Sequence, residues 1–273
     1  DHLKPVYVVY DCMDELSAFL FAPPALKRNE TALLKWANIV FTGGNSLYRS
    51  KRHLHGNIYP FPSSIDKNHF RAARNFTLDP ADQAGISGPR IGFFVVIDER
   101  LDIALLRQVA TLRPEWNFIL IGPVVKIDPA ILPVKKNIHY LGPKNYADLP
   151  AYLGGWNIAM MPFAMNASTR FISPTKTPEY LAGGKPVIAP SIADVIEPYG
   201  DLGLVHIADT SEQFIQAAEE ILQQGPSLRW LNKVDAFLKE MSWDDTVREM
   251  CSRIEHGIRT ASFSPSQNIG SYV

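Results

Sequence analysis

A lysine and a glutamate three residues apart carry the clearest chemical signal in the chain, within Ser173-Pro174-Thr175-Lys176-Thr177-Pro178-Glu179. Ser173 is a good helix N-cap and Pro174 suits a first helical position, so the residue types predict a helix opening here. Pro178 must then lie in or near the first turn, because deeper in the helix it would delete a hydrogen bond. A cation at a helix N-terminus is disfavoured by about 0.3–1 kcal/mol unless an anion joins it. Free N–H groups and Lys176 together would hold a phosphate. Glu179 shares a helix face with Lys176. A carboxylate has only acceptors, so it either takes both hydroxyls of a cis-diol such as a ribose or pairs with Lys176.

These residues need a scaffold, and the apolar pattern supplies one. Short apolar runs alternate with amphipathic stretches, which predicts parallel sheets covered by helices on both faces, an α/β fold. Residues 5–10, 38–41 and 57–62 read as strands of a first set, with helices at 25–37 and 45–53. Residues 90–97, 116–122, 137–142, 156–163, 185–190 and 202–208 read as six strands of a second. Helices are predicted at 101–112, 146–154, 211–224, 227–240 and 243–259. The expected division is 1–74 for the remainder of a first Rossmann-like domain, 75–89 for a linker and 90–241 for a second domain. Residues 242–260 would form a terminal helix, and 261–273 a flexible tail.

In open parallel sheets ligands bind beyond the carboxyl ends of the strands. Those ends in the second set carry Arg100, Gly122, Gly142, Lys144 and the loop 162–173 with Arg170, a rim of glycines and cations suited to a phosphate-bearing ligand. Asp11 and Asp14 follow a strand end in the first set, where they would cap the next helix, the favoured role, or touch the acceptor side.

Composition narrows the classes. Lysine plus arginine number 27 against 28 acids, so no basic excess points to nucleic acid. No apolar run reaches the roughly 18 residues of a membrane span. Cys12 and Cys251 lie far apart, as expected of free thiols in a reducing compartment. The histidines, including His53 and His55, lack metal-ligand spacing, and no metal site is expected. No GxGxxG follows a strand, Gly183-Gly184-Lys185-Pro186 is not a P-loop, and no GxSxG elbow occurs.

The run SPTKTPEYLAGGKPVIA resembles the donor-binding motif of group 1 (family four) glycosyltransferases of the GT-B fold. VYDCMDE (9–15), ANIVFTGGNSLY (37–48), SSIDKNHF (63–70), IGFFVVIDERLD (91–102), FILIGP (118–123) and NIHYLGPKNYADLPAYL (137–153) agree in order. So does Trp243 in SWDDT. The resemblance implies two Rossmann-like domains, the N-terminal one incomplete because the chain begins about 100 residues into a family member.

By the same resemblance Glu179 would hold the ribose of a nucleoside diphosphate sugar. Arg100 and Lys176 would neutralise its diphosphate, with Ser173 and Thr175 donating and Arg170 assisting. Gly142 to Lys144 would lie against the base. Phe171 stands where many relatives carry a second glutamate, and Phe93 where an arginine often follows the strand glycine. The catalytic side chain is expected in the preceding part.

The implied activity is retaining, metal-independent sugar transfer to a saccharide or lipid-linked acceptor in polysaccharide biosynthesis. No cofactor is expected beyond the donor, a UDP- or GDP-sugar. The expected place of work is the cytoplasm, with peripheral attachment to the inner membrane face left open. A non-catalytic nucleotide-binding fragment and a sugar-nucleotide epimerase of the same shape are the alternatives.

Overall fold

The computed structural model describes residues 5–75 and 77–263. The first sheet has three parallel strands in the order β1 (Val9–Cys12), β2 (Ile39–Thr42), β3 (Ile58–Pro60), with α1 (Ala25–Trp36) and α2 (Asn45–Lys51) as crossovers. The first strand begins later than the expected 5–10. Val6 is exposed, and regular pairing starts only at Val9, opposite Ile39. Just before it, the Asn38 side chain accepts from the Val8 N–H at 2.7 Å.

α3 (Lys67–Arg71) and α4 (Ala81–Ala84), both absent from the sequence reading, lead to the second sheet. The stretch 75–89 is no loose linker. Gln83 is fully buried, and its amide donates to the Tyr152 carbonyl at 3.1 Å and accepts from the Trp156 indole at 2.9 Å. Asp79 takes both hydrogen bonds of a close Arg90 pair, at 2.7 and 2.8 Å. Polar composition reads as a loop, yet here the polar groups are satisfied by the second domain.

The second domain runs β4 (Arg90–Phe94), α5 (Ile103–Leu112), β5 (Asn117–Ile121), β6 (Ile138–Tyr140), α6 (Leu149–Gly154), β7 (Ile158–Met160), α7 (Lys176–Ala182), β8 (Val187–Ala189), α8 (Ala193–Val195), β9 (His206–Ile207), α9 (Ser211–Gln224) and α10 (Leu228–Lys239). All six strands are parallel, in the order β6-β5-β4-β7-β8-β9. Strand order reverses between β4 and β7, so the crevice beyond their carboxyl ends is the topological switch point where such sheets bind ligands.

Phe93, Phe94, Phe118, Trp156, Tyr180 and Ile188 belong to one continuous core. Gly92 makes room for it, because a Cβ there would lie 2.0 Å from Trp156 Cδ2. α11 (Trp243–Phe263) lies against the first domain, with the Arg253 guanidinium 3.9 Å from the Tyr59 ring centroid. The expected tail at 261–273 is thus helical through Phe263, and its remainder lies outside the described residues. No helix of the described residues is long and apolar enough to cross a membrane.

Candidate functional site

α7 starts at Lys176, at the switch point. Its N-cap is Thr175 rather than the expected Ser173, and no side chain caps it, so its first N–H groups keep no side-chain partner. Pro178 falls in the first turn, as its chemistry requires. The Tyr180 hydroxyl accepts from the Phe94 N–H at 3.0 Å and pins the helix to the end of β4.

Lys176 Nζ lies 2.7 Å from Glu179 Oε2 and 5.2 Å from the Phe94 ring centroid. The intrahelical pair is therefore formed. Glu179 is 8% exposed. Burial pushes its carboxyl up, while the charge and hydrogen bond of Lys176, and then His69, pull it back. Tyr146 lies within the field of the same carboxylate. The His69 and Tyr146 rings stack at 4.3 Å, with their planes 12° apart. A buried carboxylate beside a flat aromatic pair is chemistry suited to a sugar diol and a planar base.

Arg100 emerges beyond β4. Asp98, 3% exposed, grips it in a fork with contacts of 2.7–3.1 Å, which fixes the guanidinium in place. Asp14 of the first domain lies within its field. This carboxylate caps no helix, contrary to expectation: Glu15 and Pro24 hold the cap positions that follow. Burial raises the Asp14 carboxyl and Arg100 opposes the shift. Asp11 lies within β1 itself, and burial raises its carboxyl.

The ring of Phe19 meets two cations, Arg100 at 5.5 Å and Lys126 at 5.1 Å. The Leu20 N–H donates to Glu99 at 3.2 Å. The first domain thus reaches across the crevice directly onto its cations.

The other expected residues divide. Gly142 sits at a positive φ of 68°, its carbonyl accepts from the Gly122 N–H at 3.0 Å, and the space a Cβ would take is open. Lys144 is a correction to the expected rim of cations. Its Nζ lies 2.7 Å from Asp82 and 5.6 Å from the Tyr152 ring, on the segment before β4. A strand-end position fixes a backbone, and a four-carbon stem then follows the nearest carboxylate. Arg170 is exposed, with its guanidinium 5.2 Å from the Phe171 ring. Phe171 is half-buried and packs on the core of the first sheet.

Ser173 meets the other domain. A Cβ on Gly44 would lie 2.8 Å from Ser173 Cβ and 2.1 Å from Asp194 Oδ2. Asp194 Oδ1 accepts from the Ser46 N–H at 2.7 Å and so caps the first turn of α2 from the opposite domain. Burial pushes this carboxyl up, against that hydrogen bond. Arg49 and Glu197 add an exposed pair at 2.8 Å.

The sequence reading missed His69, Tyr146, Phe19 and Lys126. Lys126 alone left a signal, a cation four residues past the glycine that ends a strand. Among the described residues, no group of three or more His, Cys, Asp or Glu side chains converges as a metal site. Cys12 and Cys251 are both free.

Residues 91–224 match the family model described as glycosyl transferases group 1. The chain is 24% identical to TuaH of Bacillus subtilis (strain 168), named as a candidate teichuronic acid biosynthesis glycosyltransferase. That match takes in 89% of this chain and 65% of TuaH, so the chain spans less than two thirds of that relative's length. Among solved structures it resembles Anabaena Alr3699/HepE in complex with UDP and glucose (TM-score 0.64, 16% identity, 94% of this chain and 71% of that one). It also resembles sucrose-phosphate synthase of Thermosynechococcus elongatus (TM-score 0.66, 15% identity, 88% and 63%). Residues 91–224 thus resemble the group 1 glycosyl transferases, and the fold of the chain is GT-B.

Proposed function

We propose that this protein transfers a sugar from a nucleoside diphosphate donor, a UDP- or GDP-sugar, to a saccharide or lipid-linked acceptor. Retention of configuration, independence of metal and a role in polysaccharide biosynthesis complete the reading. The observation that carries it is the joint of β4 and α7, with Lys176 and Glu179 beside the His69–Tyr146 stack and Arg100 held by Asp98 beyond the end of β4. The UDP in the solved HepE complex and the family of residues 91–224 support it.

The chemistry asks for a stabilised leaving group. As the glycosidic bond breaks, negative charge grows on the diphosphate. Arg100, held rigid by Asp98, and Lys176 at a helix N-terminus take up that charge without reorganising. Glu179 holds the ribose, and Ser173 and Thr175 donate to phosphate oxygens. Arg170 is the outer cation of the same loop. Gly142 offers open space near the base, and Lys144 steadies the loop through Asp82.

Titration of UDP, GDP and ADP by calorimetry tests the reading. UDP or GDP binds, and Lys176→Ala and Glu179→Ala each weaken it about tenfold or more. Absence of binding by all three nucleotides, or equal binding by both variants, overturns it. Turnover by the full-length gene product is expected to persist in EDTA. A non-catalytic nucleotide module is the second reading, favoured by Phe171 in place of a polar sugar contact. It predicts nucleotide binding with no transfer and no donor hydrolysis by that product.

A further inference from the structure

A cavity of about 350 Å3 lies between the domains on the hinge side of the crevice. Ser63, Ser64, Tyr199, Phe237 and Glu240 form part of its wall. Ser173 and Asp194 join it to the mouth of α7. Two residues of this wall, 6% and 4% exposed, carry a buried oxygen with no hydrogen-bond partner: Ser64 Oγ, and Asp194 Oδ2, which lies against Gly44. Unpartnered polar atoms in a native interior call for an explanation.

The lining chemistry narrows the occupant. It contains five carboxylates, from Asp194, Glu197, Glu240, Asp245 and Glu249, and no lysine or arginine. Three of the five have arginine partners: Glu197 with Arg49, Asp245 with Arg248, Glu249 with Arg253. The charge of those three is answered, and their carboxylates remain acceptors. An anion meets five carboxylates and neither lysine nor arginine in this wall, and loses its hydration. Tyr199 and Phe237, edge to face at 5.2 Å, supply an apolar surface of the kind the carbon face of a sugar ring needs. Sugar hydroxyls donate to carboxylates and accept from hydroxyls such as those of Ser63 and Tyr199, and this wall carries both kinds of partner.

We infer that this hinge-side cavity is a saccharide subsite for an uncharged, hydroxyl-rich unit of the acceptor. The inference rests on the sugar-transfer reading but concerns different residues, so the two can fail separately. Its size suits one or two sugar rings, within the usual range of small-molecule pockets.

Saturation-transfer NMR and calorimetry on the full chain, with and without UDP, test it with N,N′-diacetylchitobiose as the neutral probe. Glucosamine serves as the cationic probe and digalacturonate as the anionic one. Chitobiose binds, and digalacturonate fails to compete at tenfold higher concentration. Ser63→Trp, which fills the cavity, abolishes chitobiose binding while UDP affinity stays within about twofold. Ser64→Ala weakens chitobiose several-fold and guards against a misfolded tryptophan variant. Four results overturn the inference: no probe binds, digalacturonate competes, glucosamine binds more tightly than chitobiose, or Ser63→Trp binds UDP and still takes chitobiose. Loss of all nucleotide binding with chitobiose retained would sink the donor reading and leave this subsite standing.

Discussion

The six-stranded sheet is surrounded by aromatic and aliphatic side chains that touch one another from Phe70 to Leu238. The three-stranded sheet has a short apolar cluster of Cys12, Leu34, Ala37, Val40, Leu47 and Ile58. Beside that cluster lies an ion triad: Lys51, its side chain 5% exposed, with Glu15 at 2.7 Å and Glu30 at 2.8 Å. Burial pushes the Glu15 carboxyl up, yet the hydrogen bond and charge of Lys51 hold it below its ordinary value. Apolar packing is redundant, because each contact is small and many share the load. A buried triad is not, because removing its one cation leaves Glu30 and Glu15 with neutral hydrogen-bond donors, Tyr10 and Ser17, in place of a contacting charge.

The largest break in this comparison is Lys51→Met. It costs about 3–5 kcal/mol, the usual effect of removing one partner of a buried pair. Hydrogen exchange is expected to quicken across β1–β3 while β4–β8 stay protected; equal loss in both sheets would refute a local role. Adding Glu15→Gln and Glu30→Gln to Lys51→Met recovers most of the loss.

Gly92→Ala is the counterpart in the second domain. Its Cβ meets the buried Trp156 ring, and overpacking of this kind costs about 1–3 kcal/mol. Chemical denaturation measures it, with Gly56→Ala as control. Nothing lies within 4 Å of a Cβ at Gly56, so that variant stays within about 0.5 kcal/mol of the parent.

The smallest effect is a titration. Lys185 Nζ donates to the Gly154 carbonyl at 2.8 Å, and burial brings its amine down to about 8. From there to the ordinary lysine value of about 10.4, the unfolded chain holds a proton that the folded one lacks. Stability contributed by this group therefore rises with pH across that window. The difference in Tm between parent and Lys185→Met is expected to shift in the parent's favour from pH 8 to 10; a flat difference would remove the assignment.

The same contrast explains what the sequence disclosed. All six strands of the second domain were legible, the four inner ones because a strand buried on both faces is apolar throughout. The first strand was misplaced, because its apolar run extends past the residues that have partners. Lys176 and Glu179 were legible through spacing on one helix face. Their surroundings were not: Phe19, His69 and Tyr146 come from loops and short helices distant in sequence. Ser173 favoured a cap by residue type, but its approach to Gly44 draws it into the contact between domains. Lys144 could be assigned to a rim by strand end alone, since its partner Asp82 lies on a stretch that read as linker.

Gly44 has an extended backbone that any residue could adopt, so only the nearness of Asp194 and Ser173 excludes a side chain. A methyl group there would press on Asp194 and Ser173 across the contact between the domains. Any larger residue at position 44 would act as a shim, propping the halves apart while leaving both hydrophobic interiors untouched. A graded series from alanine to valine would then tune the aperture in steps, and give a means of trapping the open form.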